Sequence, residues 1–310
     1  MPHDLGVVHE ILTREFGQLS NFHEFRTWGP TLVVGADDSA GHRVVFKASS
    51  LQDVRIEAET SRRALAAGVP VPAILAEGGD DRLPGSSWFV MQRLRGIPWN
   101  EAFWSRPQHV ALIGELAGHL ATLHRVRISG YGPLTLDGNG AFDSWSVWLD
   151  TGFKRATNAL SAAGVLEASF VESLRKLLLD RCTELDARPS SLVHGDLGDG
   201  EIYADEENYA ITGIVDWGAS VVGDPYYEFA RFVAGGPVDD PRPAAYGVPL
   251  RQFYEALPET AMPPTSVVET LYTLHNTLLN AEWSLIEATD WVEPLCYEAK
   301  RLLARSANET

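Results

Sequence analysis

Two aspartates twenty positions apart, each placed just after an apolar run, carry most of the chemical information in this chain. Asp196 follows Leu192-Val193-His194-Gly195, and Asp216 follows Ile214-Val215 and precedes Trp217-Gly218. Carboxylates in this arrangement suit a site that moves a phosphoryl group. One can accept the proton of an attacking hydroxyl, and the other can hold magnesium on the phosphates of a nucleotide. Asp196 is the candidate for the first role and Asp216 for the second. Glu201, between them, stands where a second metal ligand is expected.

Further candidates lie upstream. Lys47 ends a strand-like run and Glu57 lies on the helix predicted next, so the lysine could reach α- and β-phosphate oxygens while the glutamate holds it. Taken alone, a lysine ten residues before a glutamate also fits a surface pair. Glu59 is a competing partner, but it lies on a different helix face from Glu57, so one of the two is expected to meet Lys47. Met91-Gln92-Arg93-Leu94 follows an apolar strand and precedes Gly96. A crossover there can offer backbone N–H and C=O groups to an adenine edge, with Gln92 and Leu94 as the candidates; an ordinary linker fits the same residues. No G-x-G-x-x-G loop accompanies them, since Gly29 is a lone glycine. His194 fits a structural hydrogen-bonding role better than that of a base. Asp224, in Gly223-Asp224-Pro225, has the form of a helix N-cap followed by proline, which is scaffold. His124, His275 and the tryptophans show no metal-ligand spacing.

These residues need elements to hold them. Thr31 to Val34, Arg43 to Lys47 and Ser87 to Gln92 have the composition of strands, and Asp53 to Ala67 that of a helix stopped by Gly68 and Pro70. Past Gly96 the character changes, with long amphipathic helices predicted over His109 to Val126, Leu166 to Leu185 and Ser266 to Ile286. Leu192 to Trp217 is a β-rich island among them. The expected architecture is α+β and two-lobed. Residues 1–96 form a small β-rich lobe that binds nucleotide, with a hinge near 91–96. Residues 97–310 form a larger, mainly helical lobe carrying the catalytic loop and the acceptor site.

Composition narrows the function classes. The 310 residues are 45% hydrophobic and 22% charged, as in ordinary globular proteins. No apolar run approaches the roughly 20 residues that span a bilayer, and the first residues lack the basic start and apolar core of a signal peptide. Cys182 and Cys296 are isolated, so a disulfide framework is not expected and the cytoplasm is the expected compartment. The net charge is −17 and unevenly spread: 12 acidic and 10 basic residues fall within 1–96, and 30 acidic and 15 basic residues beyond, giving −2 and −15. Such an acidic second part repels nucleic acid and suits a cationic small substrate, although acidic surface also serves solubility. Neither a nucleic-acid nor a membrane partner is expected. Glu282, Trp283, Glu287, Asp290 and Trp291 could form an acceptor wall or simply a solvated helix face.

Taken together, His194-Gly195-Asp196-Leu197, Ile211 to Gly218, Gly223-Asp224-Pro225 and Gly68-Val69-Pro70-Val71-Pro72 resemble the aminoglycoside phosphotransferase family, relatives of protein kinases. The resemblance runs from the Lys47 strand to about Gly236. It implies a protein-kinase-like fold, Asp196 as base, Asp216 on Mg²⁺, Lys47 and Glu57 as the phosphate-binding pair, and ATP or GTP as the co-substrate that donates its γ-phosphate. Relatives phosphorylate aminoglycosides, macrolides, choline, homoserine and other small alcohols, so the motifs do not name the acceptor. One position departs: where the pattern H-G-D-x-x-x-x-N has asparagine, this chain has Glu201. Glu can ligate magnesium, but it is longer and adds a charge. Glu201 is therefore a metal ligand of altered affinity, a bystander beside Asp199 or water, or the mark of a site that only binds. Besides an aminoglycoside-type kinase, the chain fits a metabolic kinase for a small alcohol, or a non-catalytic nucleotide- or ligand-binding protein on the same fold.

Overall fold

The computed structural model describes residues 5–27, 29–101, 106–234 and 241–306. In chain order the elements begin with α1 (Leu5–Phe16), β1 (Ser20–Glu24), β2 (Thr31–Asp37), β3 (Arg43–Ser49), α2 (Val54–Ala66), β4 (Ile74–Gly79), β5 (Ser87–Gln92) and β6 (Ile97–Pro98). There follow α3 (Arg106–Leu123), β7 (Tyr131–Leu134), β8 (Gly140–Phe142), α4 (Trp145–Ala162), α5 (Ala168–Leu179), α6 (Cys182–Asp186) and β9 (Ser191–Val193). The chain continues through β10 (Ile202–Ala204), β11 (Ile211–Ile214), β12 (Val221–Gly223), α7 (Tyr227–Ala234), α8 (Pro241–Glu255), α9 (Ser266–Glu287) and α10 (Val292–Ser306).

These elements separate into two compact units. One takes residues up to Phe103 together with Leu136–Gly138 and Asp199–Ala219, and the other takes the remainder. The first unit thus includes segments that a single division at Gly96 assigns to the second part. Its main sheet is antiparallel throughout, in the order β1-β2-β3-β5-β4. Alternation along β3 decides what each face does. Val44, Phe46 and Ala48 pack with Val7, Val8, Ile11 and Leu12 of α1. On the other face Phe89 packs with Val54 and Ala58 of α2, and Lys47 lies opposite Phe89 in register. The side chain of Asp53 caps α2 by accepting from the Arg55 N–H.

A second, three-stranded sheet in this unit has the order β11-β10-β6. Gly96 allows β6 to approach β10. Its φ is +84°, and a Cβ there would stand 2.0 Å from the Ala204 carbonyl oxygen. The turn between β10 and β11 is fixed by Asp205, whose Oδ1 accepts the Glu207 and Asn208 N–H groups.

The second unit is mainly helical around a small antiparallel sheet, β8-β7-β12-β9. The expected β-rich island over Leu192 to Trp217 is therefore divided. Fully buried β9 pairs with β12, whereas β10 and β11 pair with β6 in the other unit. The helix expected over Leu166 to Leu185 breaks at Asp180-Arg181 into α5 and α6, while α9 spans nearly the predicted residues. Asp224 is scaffold, as expected. It is fully buried, accepts from Arg188 and the Tyr272 hydroxyl, and takes the Tyr226 N–H just before α7. No described helix is long and apolar enough to cross a membrane.

Candidate active site

The first unit brings Lys47, Glu57 and Asp216 together. Lys47 Nζ donates to Glu57 Oε1 at 2.8 Å and to Asp216 Oδ1 at 2.7 Å. The lysine and Glu57 are buried, whereas the Asp216 side chain is 53% exposed. Burial disfavours the ammonium, but the Glu57 and Asp216 charges outweigh it and push the lysine pKa well above its usual value. Lys47 therefore stays charged. Glu59, the competing partner, instead accepts from Arg63 at 3.0 Å and lies 3.8 Å from Arg62. A position two residues along the helix faces elsewhere.

Asp216 follows β11 with φ +64°. A left-handed conformation costs a non-glycine residue roughly 1–2 kcal/mol, and the contact with Lys47 offsets part of that strain. The Val215 N–H donates to the Glu201 carbonyl, so Glu201 and Asp216 occupy adjoining positions on paired chain segments. Both are oxygen donors suited to a hard cation. Among the described residues no group of three or more His, Cys, Asp or Glu side chains forms a metal cage. Mg²⁺ commonly relies on one or two carboxylates, substrate phosphates and water. Glu201 and Asp216 thus fit a magnesium ion that arrives with a nucleotide.

The two crossover candidates part company. Gln92 pairs with Val44, on the α1 face of the sheet and opposite Lys47. Its side chain lines a surface cavity of about 470 Å³ with Phe16, Arg43 and Leu75, and its N–H is taken by the Ala73 carbonyl. Strand alternation thus turns the Gln92 side chain away from the lysine cluster, and its N–H is not available to an adenine. Leu94 fits better. It packs over β11, where Gly213 leaves the room it needs, and no described residue hydrogen-bonds its backbone N–H or C=O.

In the second unit β9 delivers His194-Gly195-Asp196. Gly195 has φ +81°, which lets the chain turn there. The turn is held by Glu228 of α7. Its fully buried carboxylate accepts the His194 N–H at 2.7 Å and the Gly195 N–H at 3.2 Å. His124 Nε2 stands 3.7 Å from the same carboxylate, and its Nδ1 shares a 3.0 Å hydrogen bond with the Tyr254 hydroxyl. Burial alone would raise the Glu228 pKa, but His124 and His194 outweigh it and hold the carboxyl below its ordinary value. His194 is itself buried, and its Nδ1 accepts the Asp196 N–H at 3.4 Å, in keeping with a structural role. Asp196 is 41% exposed, and its Oδ1 lies 2.6 Å from Arg231 Nη2.

Glu228 and Arg231 were not among the sequence candidates. The available signal is their i, i+3 spacing on an otherwise apolar helix, Tyr227-Glu228-Phe229-Ala230-Arg231, which puts two charges on one side. Of the residues considered for an acceptor wall, Glu282 accepts from Arg155 at 2.9 Å, and Trp283 and Trp291 lie with ring centroids 6.3 Å apart.

Known proteins resemble this chain in sequence and in fold. A curated relative, hygromycin-B 4-O-kinase of Escherichia coli, is 23% identical over 232 residues, covering 72% of this chain and 65% of its own length. The chain thus spans just under two thirds of that relative. A thermostable variant of aminoglycoside phosphotransferase APH(4)-Ia, in ternary complex with AMP-PNP and hygromycin B, superposes with a TM-score of 0.76 at 22% identity, covering 98% of this chain and 99% of its own. The GDP complex of aminoglycoside 2'-phosphotransferase-IIIa gives 0.64 at 13% identity, covering 99% and 100%. Identities this low speak for fold, which is the expected kinase-like α+β fold. The profile of the phosphotransferase enzyme family matches residues 31–263, from β2 to beyond α8 and across both aspartate loops, and the chain belongs to that family.

Proposed function

We propose that this protein is a small-molecule O-phosphotransferase that moves the γ-phosphoryl group of ATP or GTP to a hydroxyl of a small cationic acceptor of the aminoglycoside type. The observation that carries this reading is the buried Lys47 ammonium, held by Glu57 and Asp216 at once. A cation fixed by two carboxylates from distant parts of the chain is costly to build and suits the binding of polyphosphate. Leu94 offers backbone groups to the base. Mg²⁺, held by Asp216 and Glu201, would neutralise phosphate charge when bound.

Asp196 orients the acceptor hydroxyl and takes its proton. The acceptor oxygen bonds to phosphorus as the bond to the bridging oxygen breaks, and the electron pair leaves with the nucleoside diphosphate. The proton then passes from Asp196 to solvent. Most of the rate enhancement is positioning and electrostatics. The named activity of the curated relative and the AMP-PNP and hygromycin B held by the structural neighbour support an ATP donor and an aminoglycoside acceptor. The −15 balance of residues 97–310 supports a cation. We place the protein in the cytoplasm, where nucleoside triphosphate is available.

The test is nucleotide consumption by purified protein with Mg²⁺, ATP and GTP, against aminoglycosides, macrolides and small amino alcohols. Phosphorylation of an aminoglycoside is expected. Asp196→Asn should retain nucleotide binding and lose at least about 10²-fold in turnover, the lower end of acid–base contributions. Turnover only with a neutral alcohol would make the protein a metabolic kinase. Nucleotide binding with no turnover on any acceptor would make Glu201 the mark of a site that only binds.

A further inference from the structure

The two charged residues of α7 serve the same loop in different ways. Glu228 takes the backbone of His194 and Gly195, while Arg231, one helical turn on, takes the Asp196 side chain. Arg231 is itself held: its Nη1 donates to Asn280 Oδ1 of α9 at 3.2 Å, and its side chain is 22% exposed. The guanidinium is thus braced between two helices, with one nitrogen 2.6 Å from the carboxylate oxygen. An exposed ion pair between two free side chains contributes little. A planar guanidinium fork fixed on one side instead sets the orientation of the carboxylate it meets.

We propose that Arg231 is a positioning residue of the transfer step, holding the Asp196 carboxylate in the orientation in which it meets the acceptor hydroxyl. This rests on the reading of Asp196 as the base. Phosphoryl transfer by such an enzyme depends on placement, and misplacement of a reacting group by about 1 Å costs on the order of 10²-fold. Arg231 acts through Asp196 alone, so its contribution vanishes when that carboxylate is gone.

The experiment is a kinetic double-mutant cycle with the full chain, Mg²⁺, ATP and the best aminoglycoside from the screen. Arg231→Gln should lower kcat by about 10²-fold, with KM for the nucleotide within about twofold of wild type. Arg231→Lys, which keeps the charge and loses the fork, should fall about tenfold. In the Asp196→Asn background, Arg231→Gln should cost nothing further. Guanidinium ion added to the Arg231→Gln protein should restore part of kcat. Wild-type kcat in Arg231→Gln, or an equal further loss in the Asp196→Asn background, overturns the proposal. A loss in Arg231→Gln traced by its melting curve to misfolding passes the decision to Arg231→Lys, where wild-type turnover overturns it. If Asp196→Asn itself keeps wild-type turnover, the reading of the base fails instead, and the two failures are told apart by that variant.

Discussion

Replacing Glu228 by glutamine should destabilise the protein and slow it together, although Glu228 is not proposed to touch substrate. The fully buried carboxylate accepts two backbone N–H groups at 2.7 and 3.2 Å. Hydrogen bonds to a charged acceptor contribute about 1.5–3 kcal/mol each, against about 0.5–1.5 for a neutral one. Glutamine keeps one acceptor oxygen and turns an NH₂ group toward the second donor, so one bond weakens and the other is lost. The expected cost is about 2–4 kcal/mol, a large share of a typical domain's 5–15 kcal/mol. Because the turn that carries Asp196 loses its anchor, kcat should fall by about 10²-fold while KM for the nucleotide changes little. The pH dependence follows from the lowered pKa of Glu228. A carboxyl depressed in the folded state stabilises above its unfolded value of about 4.3, and that contribution is lost as pH falls through the lower folded value. Urea denaturation of both proteins from pH 8 to 3.5 should therefore show a constant gap down to about pH 4.5 that narrows below it. Equal midpoints at neutral pH with unchanged kcat would refute the anchoring role.

Two further outcomes are expected. Glu201→Asn should remain active with a shifted Mg²⁺ optimum, and Glu201→Ala should lose more; calorimetric Mg·nucleotide titrations identical to wild type for both would remove Glu201 from the metal. His275 is buried among Trp148, Phe153 and Tyr227, and burial pulls its pKa from 6.5 down to about 3. The unfolded chain binds that proton first, so this residue costs about 1.4 kcal/mol of stability per pH unit as pH falls from about 6.5 to 3. The stability of His275→Gln should fall less steeply with acid, and parallel urea midpoints across that range would contradict this.

The residues legible from the sequence are those placed by their own strands and turns. Asp196 after β9 and Asp216 after β11 follow apolar runs, where an extended chain must stop, and the H-G-D segment marks the turn, whereas Lys47 lies within β3, which continues beyond it to Ser49. The choice of Glu57 over Glu59 was half-legible, because helix phase separates the two but does not say which one meets β3. The surroundings of Gln92 are not legible in its own residues, because they depend on which chain segments lie beside β5: its N–H is taken by the Ala73 carbonyl, and pairing with Val44 puts its side chain on the α1 side. Arg231 and Glu228 were hidden for a related reason. Their targets lie more than thirty residues earlier, on a loop whose approach to α7 depends on the β9-β12 pairing. Helix α1, whose Val8 and Leu12 are fully buried against the sheet, gave no motif that marked it as part of the core.

The non-contiguous make-up of the first unit bears on how the chain is born. Its main sheet is complete once β5 has been synthesised, but its last pieces, β10, β11 and Asp216, belong to Asp199–Ala219. At about 5–20 residues per second, the ribosome delivers residue 199 roughly 5–20 s after residue 103. Throughout that interval Lys47 and Glu57 are together without Asp216, β6 has no β10 to pair with, and Leu94 has no Gly213 to cover. A nascent chain halted in that window carries an unpaired strand edge and an uncovered leucine, the features that chaperones and proteases engage. A fragment ending near Phe103 should share that fate, because a single cut in the chain leaves Asp199–Ala219 out of the first unit.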